Sequence, residues 1–379
     1  MAKPEIRLKG FKGEWEEKSF SQIVNVNSGM DYKGLNAGSI PVYGTGGYML
    51  SVDKSLSDED AIGIGRKGTI DSPQLLKAPF WTIDTLFFMT LKKGYDLNFV
   101  YSLCQTVRWK DYDESTGVPS LSKNNIDRIE TYVPNINEQK SIADYFKSLD
   151  SMIQGVTKKI ASLKQMKQAC LVSMFPQAGE TTPRVRFKRF EGEWVKVAMG
   201  DVFTERHEIS TITNDLPQLS FTIEEGVIRP EDRKTNKRDF LIKDKTNKKY
   251  LVTYVDDIIY NPANVIYGAI HKNSLCNGVV SPIYKIFYTE QDATFMECVV
   301  RKPEFIQGMT VYMEGTVQKL KTLKPEAFLQ MIAYIAPTKD EQRHIGRFFR
   351  SMDSQISLQE QRLEKLKQIK SACLDKMFV

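Results

Sequence analysis

Little in this sequence could hold a metal ion or attack a substrate. Cysteine is scarce: Cys104, Cys170, Cys276, Cys298 and Cys373 are an odd number, widely scattered, with no C-x-x-C pair. That pattern excludes a disulfide framework and an ordinary zinc site, and it predicts a reducing, cytoplasmic setting. The three histidines, His207, His271 and His344, have no partner at metal-ligand spacing. No nucleophile, base and orienting group fall together, so neither a catalytic residue nor a metal is expected. Mean hydropathy is −0.36, and no apolar run approaches the roughly 20 residues a membrane helix needs. Met1-Ala2-Lys3-Pro4-Glu5-Ile6-Arg7 lacks an apolar segment, so no signal peptide is expected there.

What is present is globular in composition, with 41% hydrophobic and 26% charged residues among 379. At about 150 residues per domain this length predicts two or three domains. The net charge of +6 suggests an anionic partner, but its location weakens the suggestion. Residues 138–175 carry six Lys/Arg against three Asp/Glu, and residues 341–378 carry eight against five, which together account for the whole excess.

Those two segments are copies of each other. Tyr132–Phe175 returns as Ile335–Phe378 with no gap and 18 of 44 positions identical, including Glu138-Gln139 as Glu341-Gln342. A shorter repeat brings Pro4-Glu5-Ile6-Arg7 through Gly13-Glu14-Trp15 back as Pro183-Arg184-Val185-Arg186 through Gly192-Glu193-Trp194. The offsets, 203 and 179, differ by 24, so the second intervening stretch is the longer. The plan is a variable block followed by a fixed block, twice over.

The fixed blocks predict long helices over 138–173 and 341–376, with Asn137 and Asp340 as candidate caps after Pro134 and Pro337. Ile142, Phe146, Leu149, Ile153, Val156, Ile160 and Leu163 alternate spacings of four and three, a heptad seam. The second copy gives Ile345, Phe349, Met352, Ile356, Leu363 and Leu366, with Gln359 standing where Val156 stood. Such a stripe can pack on its own globular block, or the two helices can pair as a coiled coil; near-identical seams favour pairing. Gly155 and Gly346 read as tolerable interruptions. The variable blocks show β-branched and aromatic runs between Gly, Pro and Asp turns, among them 39–43, 86–89, 250–255 and 282–288. Helices are expected to start at Ser122 and near Lys324. The fold class is therefore α/β, with two domains of about 130–160 residues.

Several motifs fail on inspection. Gly63-Ile64-Gly65-Arg66-Lys67-Gly68 is a literal G-x-G-x-x-G, but Thr69-Ile70-Asp71-Ser72-Pro73 follows instead of a helix, so a dinucleotide site is not expected. A tight turn bearing two cations fits better, as a solvated hairpin or a phosphate grip. Asn261-Pro262-Ala263-Asn264 is similar to an amino-methyltransferase loop but lacks the ring that stacks on a flipped base. Pro230-Glu231-Asp232-Arg233-Lys234 touches an acidic-x-Lys nuclease pattern without the converging carboxylates a two-metal site needs. Residues 232–249 hold eight cations against three aspartates, the composition of a solvated face or of a loop that neutralises phosphates.

Plan and motifs together resemble the DNA-specificity (S) subunit of Type I restriction–modification systems. The resemblance rests on Ser115-Thr116-Gly117-Val118-Pro119-Ser120-Leu121-Ser122 before Val133-Pro134 and Glu138-Gln139, and on Glu314-Gly315-Thr316 and Leu323-Lys324 before Ala336-Pro337 and Glu341-Gln342. Gly65-Arg66-Lys67-Gly68, Ile83-Asp84-Thr85-Leu86-Phe87 and Asp257-Ile258-Ile259-Tyr260-Asn261 also look like that family's target-recognition domains. The second copy lacks the Pro-Ser-Leu-Ser run and is the more divergent.

The resemblance implies target-recognition domains at 1–134 and 179–337, with conserved helical spacers at 135–178 and 338–379. The spacers would form an antiparallel coiled coil with internal pseudo-two-fold symmetry, separating the two domains. It implies a non-catalytic subunit that reads an asymmetric bipartite target in double-stranded DNA and docks two methylation (M) subunits, joined by restriction (R) subunits. S-adenosylmethionine, ATP and Mg would belong to those partners, for adenine methylation or restriction. Arg66, Lys67, Gly68, Arg233, Lys234, Lys237 and Arg238 are the candidate DNA contacts. The competing classes are a DNA methyltransferase or nuclease carrying its own recognition domains, and a helical scaffold that binds no nucleic acid.

Overall fold

The computed structural model describes residues 3–233, 248–314 and 321–379. The first half runs β1 (Glu16–Ser19), α1 (Phe20–Ile23), β2 (Val24–Ser28), β3 (Ala37–Gly44), β4 (Gly47–Val52), β5 (Ala61–Gly65), β6 (Gln74–Leu76), β7 (Trp81–Thr82) and β8 (Leu86–Leu91). It continues through α2 (Leu97–Thr106), α3 (Lys123–Asp127), β9 (Glu130–Val133) and the long α4 (Ile136–Ser173). The second half begins with β10 (Val195–Ala198), β11 (Thr204–Glu205), β12 (Ile209–Ser210), β13 (Ser220–Thr222), β14 (Gly226–Ile228) and β15 (Tyr250–Thr253). There follow β16 (Ile258–Tyr260), β17 (Ile270–Lys272), β18 (Gly278–Val280), β19 (Lys285–Tyr288), α5 (Ala293–Val300), α6 (Pro303–Tyr312), α7 (Pro325–Gln330), β20 (Ile332–Ile335) and α8 (Lys339–Met377).

Compact units do not follow the linear blocks. One consists of residues 1–159 with 359–379, the other of 160–358, so each takes part of both long helices. Their frames match strand for strand. A two-stranded ribbon joins the borders of each variable block, β1 with β9 and β10 with β20. A four-stranded antiparallel sheet follows, in the order β2-β8-β5-β6 in the first unit and β11-β19-β16-β17 in the second. Beyond that frame the blocks differ. The first adds β4-β3-β7, where β3 and β7 run parallel; the second adds β12-β15-β18 and the hairpin β13-β14. Helix α3 starts at Ser122, whose hydroxyl accepts from the Asn125 N–H, and α7 starts after Lys324.

The repeated short motifs turn out to lock the long helices. In the first unit the Arg7 guanidinium donates two bonds of 2.7 Å to the buried Glu138 carboxylate, and its Nη1 donates to the Gly13 carbonyl. In the second, Arg186 does the same to Glu341 at 2.7 and 2.8 Å, with Gly192 in the place of Gly13. The adjacent glutamines tie each helix to its block: Gln139 Oε1 accepts from Asp96 N–H, and Gln342 Oε1 from Asp292 N–H. Asp96 and Asp292 cap α2 and α5. Thus Glu-Gln is conserved between the copies because each residue holds a different element.

The helix ends close each core in the same way. Ile6 N–H donates to the Lys376 carbonyl at 2.9 Å, as Val185 N–H donates to Ser173 at 2.9 Å. Trp15 packs edge-on against Phe99 and Phe378, and Trp194 packs on Phe175 and Phe295.

Within each unit the two helix portions run antiparallel. In the first, Lys370 pairs with Asp150 at 2.7 Å, Tyr145 O–H meets Cys373 Sγ and Phe146 meets Phe378. In the second, Lys167 pairs with Asp353 and Phe175 meets Phe349. The two uses of the apolar stripe are therefore compatible. Ile142, Phe146 and Leu149 sink into the first block's core beside Met377 and Phe378, as Ile345 and Phe349 sink into the second's. Val156, Ile160, Met352 and Ile356 are buried, whereas Ile153, Leu163, Leu363 and Leu366 are half-buried.

Two expectations need correction. The helix caps are Asn135, whose Oδ1 accepts from the N–H groups of Asn137 and Glu138, and Thr338, whose hydroxyl accepts from Glu341 N–H. A capping side chain must reach amides two or three residues ahead, so Asn137 and Asp340 already lie inside the first turn. Gly346 is not merely tolerated: a Cβ there would stand 2.0 Å from an Asp292 carboxylate oxygen. Gly155 faces open space.

Candidate nucleic-acid interface

In the first block, three sequence runs that lie far apart in the chain meet at one end of the four-stranded sheet. Strand β5 is buried along its length and ends at Gly65, where a Cβ would lie 1.9 Å from the Thr69 carbonyl oxygen. Gly68 has φ +88°, a conformation open to glycine. These two glycines force the turn that carries Arg66 and Lys67. The Thr85 carbonyl accepts the N–H groups of Arg66 at 2.8 Å and Lys67 at 3.2 Å. From the other side Gly68 N–H donates to Pro119 O, and Leu121 N–H donates to Arg66 O, both at 2.9 Å.

The 113–120 loop is itself organised by Asp113, whose carboxylate accepts from Ser120 N–H, Ser115 N–H and the Ser115 hydroxyl. Those bonds, the Ser120 amide first, hold its pKa below the ordinary carboxylate value. Lys67 is exposed, and the half-buried Arg66 guanidinium lies 5.6 Å from the Phe87 ring centre. The β3–β4 hairpin joins the same cluster, because Ile83 N–H donates to the Tyr43 carbonyl at 3.0 Å. The result is a fixed turn whose three amides are donated within the fold and whose cationic side chains are left to meet phosphate oxygens. Thr85, Asp113 and Pro119 organise it without being candidate contacts themselves.

In the second block the candidates are not brought together so clearly. Arg233 follows a single 3-10 turn, Pro230–Asp232, and is half-buried, with its Nε enclosed and unpartnered. Lys234, Lys237 and Arg238 lie outside the described residues. Lys248 and Lys249 are exposed, with the Lys248 ammonium 5.6 Å from the Tyr250 ring centre. Sequence reasoning passed over Arg206, which donates 2.8 and 2.9 Å bonds to the buried Asp257 carboxylate. Its guanidinium lies over the rings of Tyr254 and Tyr288, 4.7 and 4.8 Å from their centres. The Asp257 bond raises the Arg206 pKa, and Asp257 also accepts from Tyr254 N–H. This arginine is already satisfied and braces strands. The Asp257–Asn261 run was the available signal.

The histidines stand apart. His207 is exposed, 3.7 Å from Glu205, and His344 caps onto the Asp340 carbonyl. His271 is buried, bonded through Nε2 to the Ile223 carbonyl and set beside the Arg301 guanidinium. Burial first, then Arg301, lower its pKa to about 4, so it is neutral at pH 7. It borders a cavity of about 590 Å³ whose lining mixes Lys167, Lys272 and Arg301 with Glu224, Glu297 and Asp353. Among the described residues, no group of three or more His, Cys, Asp and Glu could hold a metal ion. No helix among them is long and apolar enough to cross a membrane.

Comparison with known proteins gives a consistent picture. Residues 12–165 match the family model of the Type I restriction modification DNA specificity domain. The Type I restriction enzyme EcoprrI specificity subunit of Escherichia coli is 19% identical over 165 residues, 41% of this chain and 40% of that protein. The chain thus spans about two-fifths of the length of the curated relative it matches. The crystal structure of the Type-I restriction-modification system S subunit from M. genitalium has the same fold, with a TM-score of 0.69 over 100% of this chain and 99% of that one, at 13% identity. Residues 12–165, the segment whose plan the second half repeats, are thus similar to the Type I restriction modification DNA specificity domain.

Proposed function

We propose that this chain is the DNA-specificity subunit of a Type I restriction–modification complex. One observation carries the reading: a duplicated frame with matching sheet order and matching helix locks supports outer sheets of different topology. A duplicated frame fits two recognition modules, and different outer sheets fit two different half-sites. Residues 1–134 and 179–337 each read one half of an asymmetric bipartite target in double-stranded DNA. Residues 135–178 and 338–379 act as spacers and dock two methylation subunits, which restriction subunits join.

S-adenosylmethionine, ATP and Mg belong to those partners in the cytoplasm, and this chain contributes no chemistry. The Arg66 and Lys67 side chains, on the turn that Gly68 shapes, hold phosphates of the first half-site; Arg233 does so for the second. A methyltransferase or nuclease with its own recognition domains is not favoured, because the Asn261–Asn264 turn offers no ring and, among the described residues, no carboxylates converge beside Arg233. Methylome sequencing of a host with and without this gene tests the proposal. The expected result is a bipartite adenine-methylated motif that disappears with the gene; an unchanged methylome in a host holding active methylation subunits contradicts it.

A further inference from the structure

The β3–β4 hairpin carries a feature that phosphate gripping does not use. Its register slips by one residue, Val42 pairing with Leu50 but Tyr43 with Tyr48, so Met49 is an extra, bulged residue. In a regular strand adjacent side chains point to opposite faces. Here the bulge leaves both Tyr48 and Met49 in solvent, 62% and 47% exposed.

The tip is built rather than loose. Gln74 Nε2 donates to the carbonyls of Gly44 and Thr45, each at 3.1 Å. Gly47, at φ +105°, closes the turn, and the Tyr48 ring stands edge-on to Tyr43 at 6.4 Å. A Cβ on Gly44 would meet Met49 Sδ at 2.8 Å, so the missing side chain is what seats the methionine. Ile83 N–H ties this hairpin to the segment whose Thr85 carbonyl holds Arg66 and Lys67. An exposed, preorganised apolar pair thus sits in the same loop cluster as an exposed cationic turn.

We infer that Tyr48 and Met49 read bases of the first half-site in the major groove, by apolar contact with a thymine methyl group. This rests on the DNA-specificity reading above. Two strands about 4.8 Å apart with their side chains match a groove about 12 Å wide. The cationic turn supplies attraction to the backbone, and the bulged pair supplies what phosphates cannot, sensitivity to sequence.

The test uses the chain assembled with its methylation subunits and a pool of duplexes randomised in both half-sites. The first block's half-site is the one left unchanged when residues 184–334 are exchanged. Tyr48→Ala and Met49→Ala, tested separately, should each relax selection at one or two neighbouring positions of that half-site. Each should weaken cognate binding about tenfold, with the salt slope and the other half-site unchanged. Replacing the thymine read there by uracil should weaken the unsubstituted complex and leave both variants indifferent.

Lys67→Ala should do the reverse, lowering the salt slope by about one unit with base preference intact. Selection unchanged in both variants, or a first half-site without thymine at the affected position, overturns the inference while leaving the specificity-subunit reading in place. Absence of any sequence selection by the unsubstituted complex defeats that reading instead.

Discussion

Removing Arg7 should unfasten the first long helix from its block. Glu138 has no exposed side-chain surface, Arg7 has 17%, and two 2.7 Å bonds join them. Breaking a buried pair by deleting one partner costs about 3–5 kcal/mol, because the remaining charge stays desolvated. The partial exposure of Arg7 lets water follow the truncation, which puts Arg7→Ala at about 3 kcal/mol. Replacing both partners with apolar residues removes the orphan charge, so Arg7→Met with Glu138→Met should cost about 1 kcal/mol or less.

Hydrogen exchange with peptide resolution provides the assay. About 3 kcal/mol corresponds to roughly hundredfold faster exchange in the first turns of α4 and in residues 4–15 if they open as one unit. Arg186→Ala should produce the same effect in residues 183–194 and the start of α8, where Arg186 holds Glu341. Comparable loss in the single and double variants, or no loss at all, would refute the claim that an unpaired buried carboxylate is what the arginine prevents.

Other outcomes follow from the same geometry. Val156→Lys places a charge at a site 6% exposed and should cost about 2–4 kcal/mol of helix pairing by denaturant melt. Gln359→Lys should cost clearly less, whereas Gln359→Val should stabilise by about 1 kcal/mol because its buried Oε1 has no partner. Alanine at Arg66 or Arg233 should weaken binding to all duplexes alike and lower the salt slope by about one unit each, measured by titration at several salt concentrations. His271 sits at about 4 against an ordinary 6.5, so the native chain keeps it neutral while the unfolded chain takes up a proton. The stability this provides is complete above pH 6.5 and is lost as pH falls toward 4, by about 3 kcal/mol. Glu297, raised by burial, acts with the opposite sign. Both groups' effects separate when wild type and His271→Gln are melted across that range, since only the histidine contribution should vanish.

The frame was largely legible because repetition and period are long-range signals. Eighteen identities without a gap announced the duplication, and the four-three spacing of Ile142 to Leu163 announced the helices to within two residues of their ends. What periodicity could not say was the fate of each seam residue, since Phe146 faces the block's core and the end of α8 together. The caps moved by two positions because cap geometry counts back from the donating amide. The site was legible only as fragments. Gly65–Gly68, Thr85 and Ser115–Leu121 each stood out in the sequence, but their union depends on backbone hydrogen bonds that carry no residue preference. Arg206 escaped for a similar reason: its aspartate lies 51 residues away and its two tyrosines 48 and 82.

The central claim is that two independent readers sit on a shared, non-catalytic frame. Exchanging residues 184–334 for the matching block of a relative, with methylation subunits supplied, and sequencing the resulting methylome tests it most directly. Arg186 falls inside the exchanged block, so the donor must keep an arginine there to hold Glu341. The account predicts that one half of the methylated motif changes while the other half and the adenine modification persist. A change in both halves together, or methylation of DNA by this chain alone, would contradict it.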